Sequence, residues 1–203
     1  MPVMSKVEAV FCRSAPWRGF TARVVMPWVL RGQDLTGDVL EVGAGAGANT
    51  AVLARTHPAA TITATDIDPA MVTAARRRVA HLGAGVTVEE ADTTALPFDD
   101  DSFDTAIGLL MLHHVIDWEA ALGELARVLR PGGRLLGYDL TATRGAGAIH
   151  LVDRSPHQLL HPAQLRDGLA AAGFADIDVT AGLAGLVARF HATTPAPAKE
   201  NQP

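Results

Sequence analysis

Three glycines and two carboxylates carry the first chemical signal. Gly43, Gly45 and Gly47 alternate in VLEVGAGAGANT, residues 39 to 50, between a strand-like run and a helix-like run from Asn49 to Thr56. Glycine in such a turn lets the backbone bend sharply and lets a ligand approach where a Cβ would stand. The helix start that follows adds free N–H groups and partial positive charge. Asp66, about twenty residues on at the end of a second strand-like run, places a carboxylate where both hydroxyls of a ribose can be held, and it repels a 2′-phosphate. Glu41 sits two residues before Gly43 and adds a second negative charge at the turn.

The loop alone admits two ligands. Gly43-x-Gly45-x-x-Ala48 satisfies the dinucleotide pattern, in which Ala can replace the last Gly. S-adenosylmethionine carries the same adenosine ribose. In an open parallel sheet either molecule sits at the carboxyl ends of the central strands. Three features separate them. Glu41 repels a pyrophosphate and favours an ammonium or sulfonium. Asp92, in Ala91-Asp92-Thr93, is placed after a third strand to accept an adenine amino group. Leu96-Pro97-Phe98 and Asp101-Ser102-Phe103-Asp104 lead into a fourth strand, followed by Leu112-His113-His114. An NAD-binding oxidoreductase remains an alternative, although no Tyr-x-x-x-Lys pair is present, since Tyr138 is followed by Thr141 and Ala142. A non-catalytic S-adenosylmethionine-binding protein is the other.

These residues need a sheet to hold them. DVLEVG, TITATD (61–66), VTVEE (86–90), FDTAIGLL (103–110) and GRLLGYDL read as five strands. Between them, Pro69 opens a helix to about His81, and Asp117 caps an amphipathic helix over 118–130 with Trp118, Ala121, Leu122, Leu125, Val128 and Leu129 on one face. Pro131-Gly132-Gly133 should end that helix. His161-Pro162 starts another, which Gly173 stops. FADIDVT and GLVARFHAT then close the domain as a hairpin. The alternation predicts an α/β fold: a doubly wound, mostly parallel seven-stranded sheet with helices on both faces and a C-terminal antiparallel hairpin. Residues 1–35 read as a helical lid with Trp17, Phe20, Val24, Val25 and Trp28 at helical spacing, interrupted at Pro27. Residues 36–192 form the ligand-binding domain, and 193–203 have the composition of a disordered tail.

The run LEVGAGAG, TDIDPAMV, EEADTTALPFDDDSFD, MLHHV and LARVLRPGGRLL resembles the class I (Rossmann-like) S-adenosylmethionine-dependent methyltransferases, nearest the ubiquinone/menaquinone-methylase-like group. The resemblance covers residues 37 to 140 in order, and AGFADIDVT resembles the family's closing region. It implies an enzyme that transfers a methyl group from S-adenosyl-L-methionine to a small-molecule acceptor. It implies that Gly43, Ala44, Gly45 and Gly47 line the methionine and ribose, with Glu41 toward the positive end. Asp66 takes the ribose hydroxyls, Ile67 and Met71 flank the adenine, and Asp92 with Thr93 takes its amino group. Gly108 and Leu109 offer backbone near the methionine, and His113 or His114 closes the pocket. For Ile67 and Met71 the plain alternative is an ordinary core position; for Asp66 and Asp92 it is a cap or turn. The missing Asn/Asp-Pro-Pro-Tyr/Phe and Pro-Cys motifs disfavour nucleic-acid methylation. Strand four ends without an acidic ligand, which disfavours a magnesium-dependent catechol-type enzyme.

A hydroxyl acceptor needs a base, and histidine titrates in the right range. His150 and His157, in the irregular stretch 141–161 where an acceptor meets the site, are the candidates. His113 and His114 read as pocket residues, and Tyr138 and Asp139 lie at the site edge. His157 and His161 could pair at helical spacing on a metal, but no third ligand is evident, so no metal is expected. An apolar or amphipathic acceptor covered by residues 10–30 and 141–161 fits this layout.

Composition bounds the partners. The chain has 203 residues, 48% of them apolar, and a formal net charge of −5. That argues against a polyanion binder; Arg76-Arg77-Arg78 reads as a solvated helix face. The single cysteine, Cys12, allows no intrachain disulfide, and no apolar run approaches the roughly twenty residues of a membrane span. With no leader-like N-terminus, a cytoplasmic location is expected.

Overall fold

The structure, a computed structural model, describes residues 19–142 and 158–196. Cys12, Trp17, His150 and His157 lie outside the described residues. The strands are β1 (Gly37–Val42), β2 (Ala60–Asp66), β3 (Val86–Glu90), β4 (Phe103–Leu109), β5 (Leu129–Leu140), β6 (Ala175–Gly182) and β7 (Val187–Thr193). They form one sheet in the order β3-β2-β1-β4-β5-β7-β6. The first five are parallel, and β7 runs antiparallel between β5 and β6. The seven-stranded, doubly wound expectation therefore holds, hairpin included.

Helices α1 (Met26–Leu30), α2 (Ala48–Thr56), α3 (Pro69–Val79), α4 (Trp118–Val128) and α5 (Pro162–Ala171) cover both faces. Alternation along β1 sorts them. Val39 packs with Val25, Met26, Val29 and Leu53 on one face, while Leu40 and Val42 pack with Trp118, Leu122, Leu125 and Leu165 on the other. Local chemistry sets the helix starts. The Asp68 side chain accepts from Ala70 N at 2.8 Å ahead of Pro69, and the Asp117 side chain accepts from Ala120 N at 3.3 Å. His161 and Gln164 form a reciprocal capping box on α5.

Two elements differ from expectation. Pro131-Gly132-Gly133 does not precede β5 but lies inside it. The strand starts at Leu129, directly from α4, with a register shift opposite Phe103 and Thr105. Thr194 carries the irregular stretch: its N–H donates to Gly133 O at 2.9 Å and its Oγ1 to Arg130 O at 2.5 Å. A partner from the far end of the chain thus satisfies the carbonyls that flank Pro131 and Gly132. At the N-terminus, Thr21–Val25 form a π-helical turn, closed by Met26 N donating to Thr21 O. Pro27 follows directly; its ring would press on the carbonyl four residues back, and the wider turn relieves that contact.

Only part of the predicted N-terminal stripe is buried. Val25, Met26, Val29, Leu30 and Leu35 join the core, whereas Phe20 and Val24 are exposed. Arg189 Nη1 donates to Trp28 O at 3.2 Å, and its guanidinium lies 5.4 Å from the Trp28 ring centre. Arg31 pairs with Asp178 at 2.7 Å. Residues 25–35 are thereby packed into the body of the domain.

Candidate functional site

The predicted site residues converge on the carboxyl ends of β1, β2, β3 and β4. Chain order reverses between β1 and β4, which opens the crevice where such sheets bind ligands. Glu41 and Val42 end β1, Asp66 ends β2, Asp92 follows β3, and Gly108 and Leu109 end β4.

The three glycines of the loop all have positive φ, and the structure gives them different reasons. A Cβ on Gly43 would stand 2.5 Å from Met111 Cβ, and one on Gly47 would stand 3.0 Å from Ala75 Cα. Those two glycines admit the protein's own neighbours. Gly45, with φ 54°, has open space within 4 Å of its missing Cβ. The ligand-approach argument therefore applies to Gly45. Behind the loop, α2 begins at Gly47 with no side-chain cap, so its first N–H groups take no side-chain partner there.

Asp66 holds this turn. Gly45 N donates to its Oδ2 at 2.7 Å and Asp68 N to its Oδ1 at 2.9 Å. A carboxylate has about four acceptor positions, so two bonds leave capacity for a diol. Burial pushes the Asp66 carboxyl above its ordinary range, against those backbone hydrogen bonds. Glu41 lies deeper, at 1% exposure. Thr50 Oγ1, on α2, donates to Glu41 Oε2 at 2.5 Å. Burial raises Glu41 to about 7, with the Thr50 bond opposing and the Asp66 charge adding. Buried Glu41 and half-buried Asp66 share a corner with no cation against them in the described contacts. A sulfonium or ammonium relieves that strain, and a pyrophosphate increases it.

The residues expected at the adenine side lie at the end of β3. Asp92 Oδ1 accepts both Thr94 N at 2.9 Å and Thr94 Oγ1 at 2.7 Å, which fixes the carboxylate at the β3 end beside buried Thr93. Arg127 and Glu124 of α4 pin the following loop: Leu96 N donates to Glu124 Oε2 at 2.8 Å, and Arg127 donates to Phe98 O at 2.8 Å and Leu96 O at 3.1 Å. Ile67 is 36% exposed, so the core alternative fails for it; Met71 is half-buried. An exposed isoleucine next to Asp66 suits an adenine face.

Beyond β4 the chain turns through Leu110 at φ 53°, a conformation a leucine seldom adopts. Leu110 N donates to Tyr138 O at 2.9 Å, and a short 3-10 turn over Leu112–His114 follows. The His113 and His114 rings lie 4.0 Å apart at their centres. His113 Nδ1 is in close hydrogen-bond contact with Asp139 Oδ1, and both residues are buried. Burial pushes Asp139 upward, but the His113 ring and its backbone donors outweigh this, and its carboxyl ends below the usual range. From the sequence Asp139 was legible as a residue at the site edge, without its partner. Its partner is 26 positions away and becomes its neighbour because β4 and β5 pair in register, Leu109 beside Tyr138. Thr50 escaped the sequence reading altogether, although a polar residue three positions into a helix behind a buried acid was a usable signal.

Comparison with known proteins identifies the family. A methyltransferase-domain family matches residues 40–137. A demethylmenaquinone methyltransferase from Clavibacter sepedonicus is 32% identical over 206 residues, covering 89% of this chain and 80% of the relative. The chain belongs to the S-adenosylmethionine-dependent methyltransferases. Within them it falls in the class I group of the ubiquinone/menaquinone methylases. It spans between 35% and 53% of the length of other curated relatives. In fold, it superposes on a chain of the complex between the Haloferax volcanii Trm112 methyltransferase activator and a methyltransferase with TM-score 0.77 at 19% identity, covering 95% of this chain and 99% of that one. It also superposes on the Haemonchus contortus phospholethanolamine N-methyltransferase 2, solved with S-adenosylhomocysteine, with TM-score 0.72 at 17% identity over 83% of this chain and 52% of that one. Membership settles the choice the glycine loop left open: the methyl donor is S-adenosylmethionine, and the oxidoreductase alternative falls. The enzyme methylates a small-molecule acceptor. No helix among the described residues is long and apolar enough to cross a membrane, and no group of three or more His, Cys, Asp or Glu among them could hold a metal ion.

Proposed function

We propose that the chain transfers the donor's methyl group to an apolar or amphipathic small molecule, in the cytoplasm, with no nucleic-acid partner. The observation that carries this is the pair of acids, buried Glu41 and half-buried Asp66, behind a glycine with open space. That corner suits a cationic methyl donor. In this reading Gly43, Ala44, Gly45 and Gly47 line the methionine and ribose, with Glu41 beneath the positive end. Asp66 accepts the ribose hydroxyls, and Ile67 and Met71 bracket the adenine. Asp92, beside Thr93, takes the amino group, and Gly108, Leu109, His113 and His114 close the methionine side. S-adenosylmethionine supplies an activated methyl group; the protein supplies alignment and a dry setting. The net charge of −5 supports a small acceptor over a polyanion. His150 and His157 remain candidate bases of the stretch outside the described residues.

Calorimetric titration with S-adenosylmethionine, S-adenosylhomocysteine and NADH tests the site. Binding of the two sulfur compounds and not of NADH is expected. Unchanged affinity in a folded Asp66→Ala variant would remove the ribose assignment.

A further inference from the structure

The run Arg76-Arg77-Arg78 does not act as one solvated face. Arg76 Nε donates to Val88 O at 2.9 Å, and Arg77 is exposed. Arg78 is half-buried and lines a cleft of about 290 Å³. The cleft runs between the N-terminal helical turn and α2 and reaches the end of α3. Gly19, Ala22, Ala48 and Ala51 line it beside Val52. These small side chains leave open a space that longer ones would fill between packed helices.

The remaining lining is basic. Arg55 stands in the last turn of α2, and His81 in the short 3-10 turn Ala80–Leu82 that follows α3. No acid lines the cleft among the described residues. Arg31, Arg127 and Arg130 each pair with a carboxylate. Arg55 and His81 are exposed, and neither has an ion pair among the described residues. Basic residues in a last turn offset the helix dipole, but two helix ends carry only about one negative charge between them. Arg55, Arg78 and His81 face one space, in a chain whose net charge is −5. Helix dipoles explain part of this charge and do not explain the cavity in front of it.

A cavity near 300 Å³ with mostly apolar walls and a few polar groups at one end has the form of a small-molecule site. The guanidinium fork matches the paired oxygens of a carboxylate or a phosphate. Asp66 and Asp92 do not line the cleft, so it is distinct from the donor crevice. Helix α2 borders both, since Ala48 follows Gly47 directly.

We propose that this cleft is a second ligand site, which takes a small anion, a carboxylate or a phosphate on a short apolar body. Arg55 and His81 hold the charged group, and Ala22, Ala48 and Ala51 face the apolar part. The site goes beyond the methyltransferase reading and does not depend on it.

The test is calorimetric titration of the whole chain with octanoate, octyl phosphate, inorganic phosphate and uncharged octanol, with and without saturating S-adenosylhomocysteine. Octanoate or octyl phosphate should bind at one site, at least about tenfold more tightly than octanol. Arg55→Gln should weaken that binding by about tenfold or more. Ala22→Leu fills the cleft, leaves every charge in place and should abolish it. Amide shifts on adding octanoate should fall on Gly19, Ala22, Ala48 and Ala51. Octanol binding as tightly as the anions overturns the proposal, and so does the absence of binding by either amphiphilic anion at millimolar concentration. Binding that survives Ala22→Leu, or inorganic phosphate binding as tightly as octyl phosphate, shows a bare cationic surface and also overturns it. Shifts centred on Asp66 and Asp92, with competition by S-adenosylhomocysteine, place the probe in the donor crevice and overturn it as well. If Ala22→Leu does not fold, Arg55→Gln and the shift map decide. Failure of S-adenosylhomocysteine to bind would strike the methyl-donor reading and leave this site standing.

Discussion

Buried carboxylates sit on both sides of the crevice, and they behave in opposite ways. On the β1–β2 side, Glu41 and Asp66 are pushed up: burial dominates, with the Asp66 charge adding at Glu41 and the Asp68 charge at Asp66. On the β4–β5 side, Asp139 is equally buried and yet pulled down, because His113 and three backbone N–H groups converge on it. Among the described residues the first corner has no positive partner, which is why a cationic ligand is proposed for it. The second brings its own. Burial alone therefore does not tell whether an acid is ionised; the count of donors aimed at it does.

The largest test removes the self-sufficient acid. Asp139→Ala strands Leu112, His113 and Leu140 N–H groups, and should cost about 3–5 kcal/mol in urea unfolding at neutral pH. A folded Asp139 with a lowered pKa stabilises above its unfolded value, and that stabilisation is lost as pH falls through the folded one. The gap between variant and wild type should therefore narrow toward acid.

Gly43 and Gly45 sharpen the comparison within one loop. Gly43→Ala places a methyl against Met111 on a left-handed backbone and should cost about 2–4 kcal/mol of stability. Gly45→Ala carries the backbone penalty alone, about 1–2 kcal/mol, and should mainly weaken S-adenosylhomocysteine binding. Equal loss of melting temperature in both would break the distinction.

Glu41→Gln should act in the opposite sense to Asp139→Ala. The folded protein keeps the Glu41 proton up to about 7, while the unfolded chain releases it near 4.5. Between those values the folded state binds more protons, so stability falls as pH rises, and it levels above 7. The glutamine variant should be more stable than wild type at pH 8, by at most about 3 kcal/mol, and should bind the donor less tightly. Wild-type binding near pH 7 should release protons, seen as a dependence of the titration heat on buffer ionisation enthalpy. The smallest effect on stability is expected at Asp66→Ala, where a partly desolvated charge is removed along with its hydrogen bonds; its loss should appear instead as about 1.5–3 kcal/mol of donor affinity.

The sheet and the donor side were readable because their signals are local. Alternating apolar residues marked the strands, Asp68-Pro69 and Asp117 marked helix starts, and the glycines came with Asp66 at a normal spacing. What escaped depends on distant partners. Thr194 lets β5 pass through Pro131-Gly132-Gly133, and no feature near residue 131 announces it. The His113–Asp139 contact needs the register of two strands. Each residue was visible by itself, His113 as a pocket wall and Asp139 at the site edge, but the bond between them belongs to the sheet.

The clasp between the two ends of the domain bears on how the chain is made. Arg189 reaches the Trp28 carbonyl across 161 positions, and Asp178 holds Arg31. At roughly 5–20 residues per second, synthesis leaves the first helix without these partners for about 8 to 32 s. During that wait Val25, Met26, Trp28 and Val29 have no finished surface to cover them. The first described helix is therefore among the last elements to be seated.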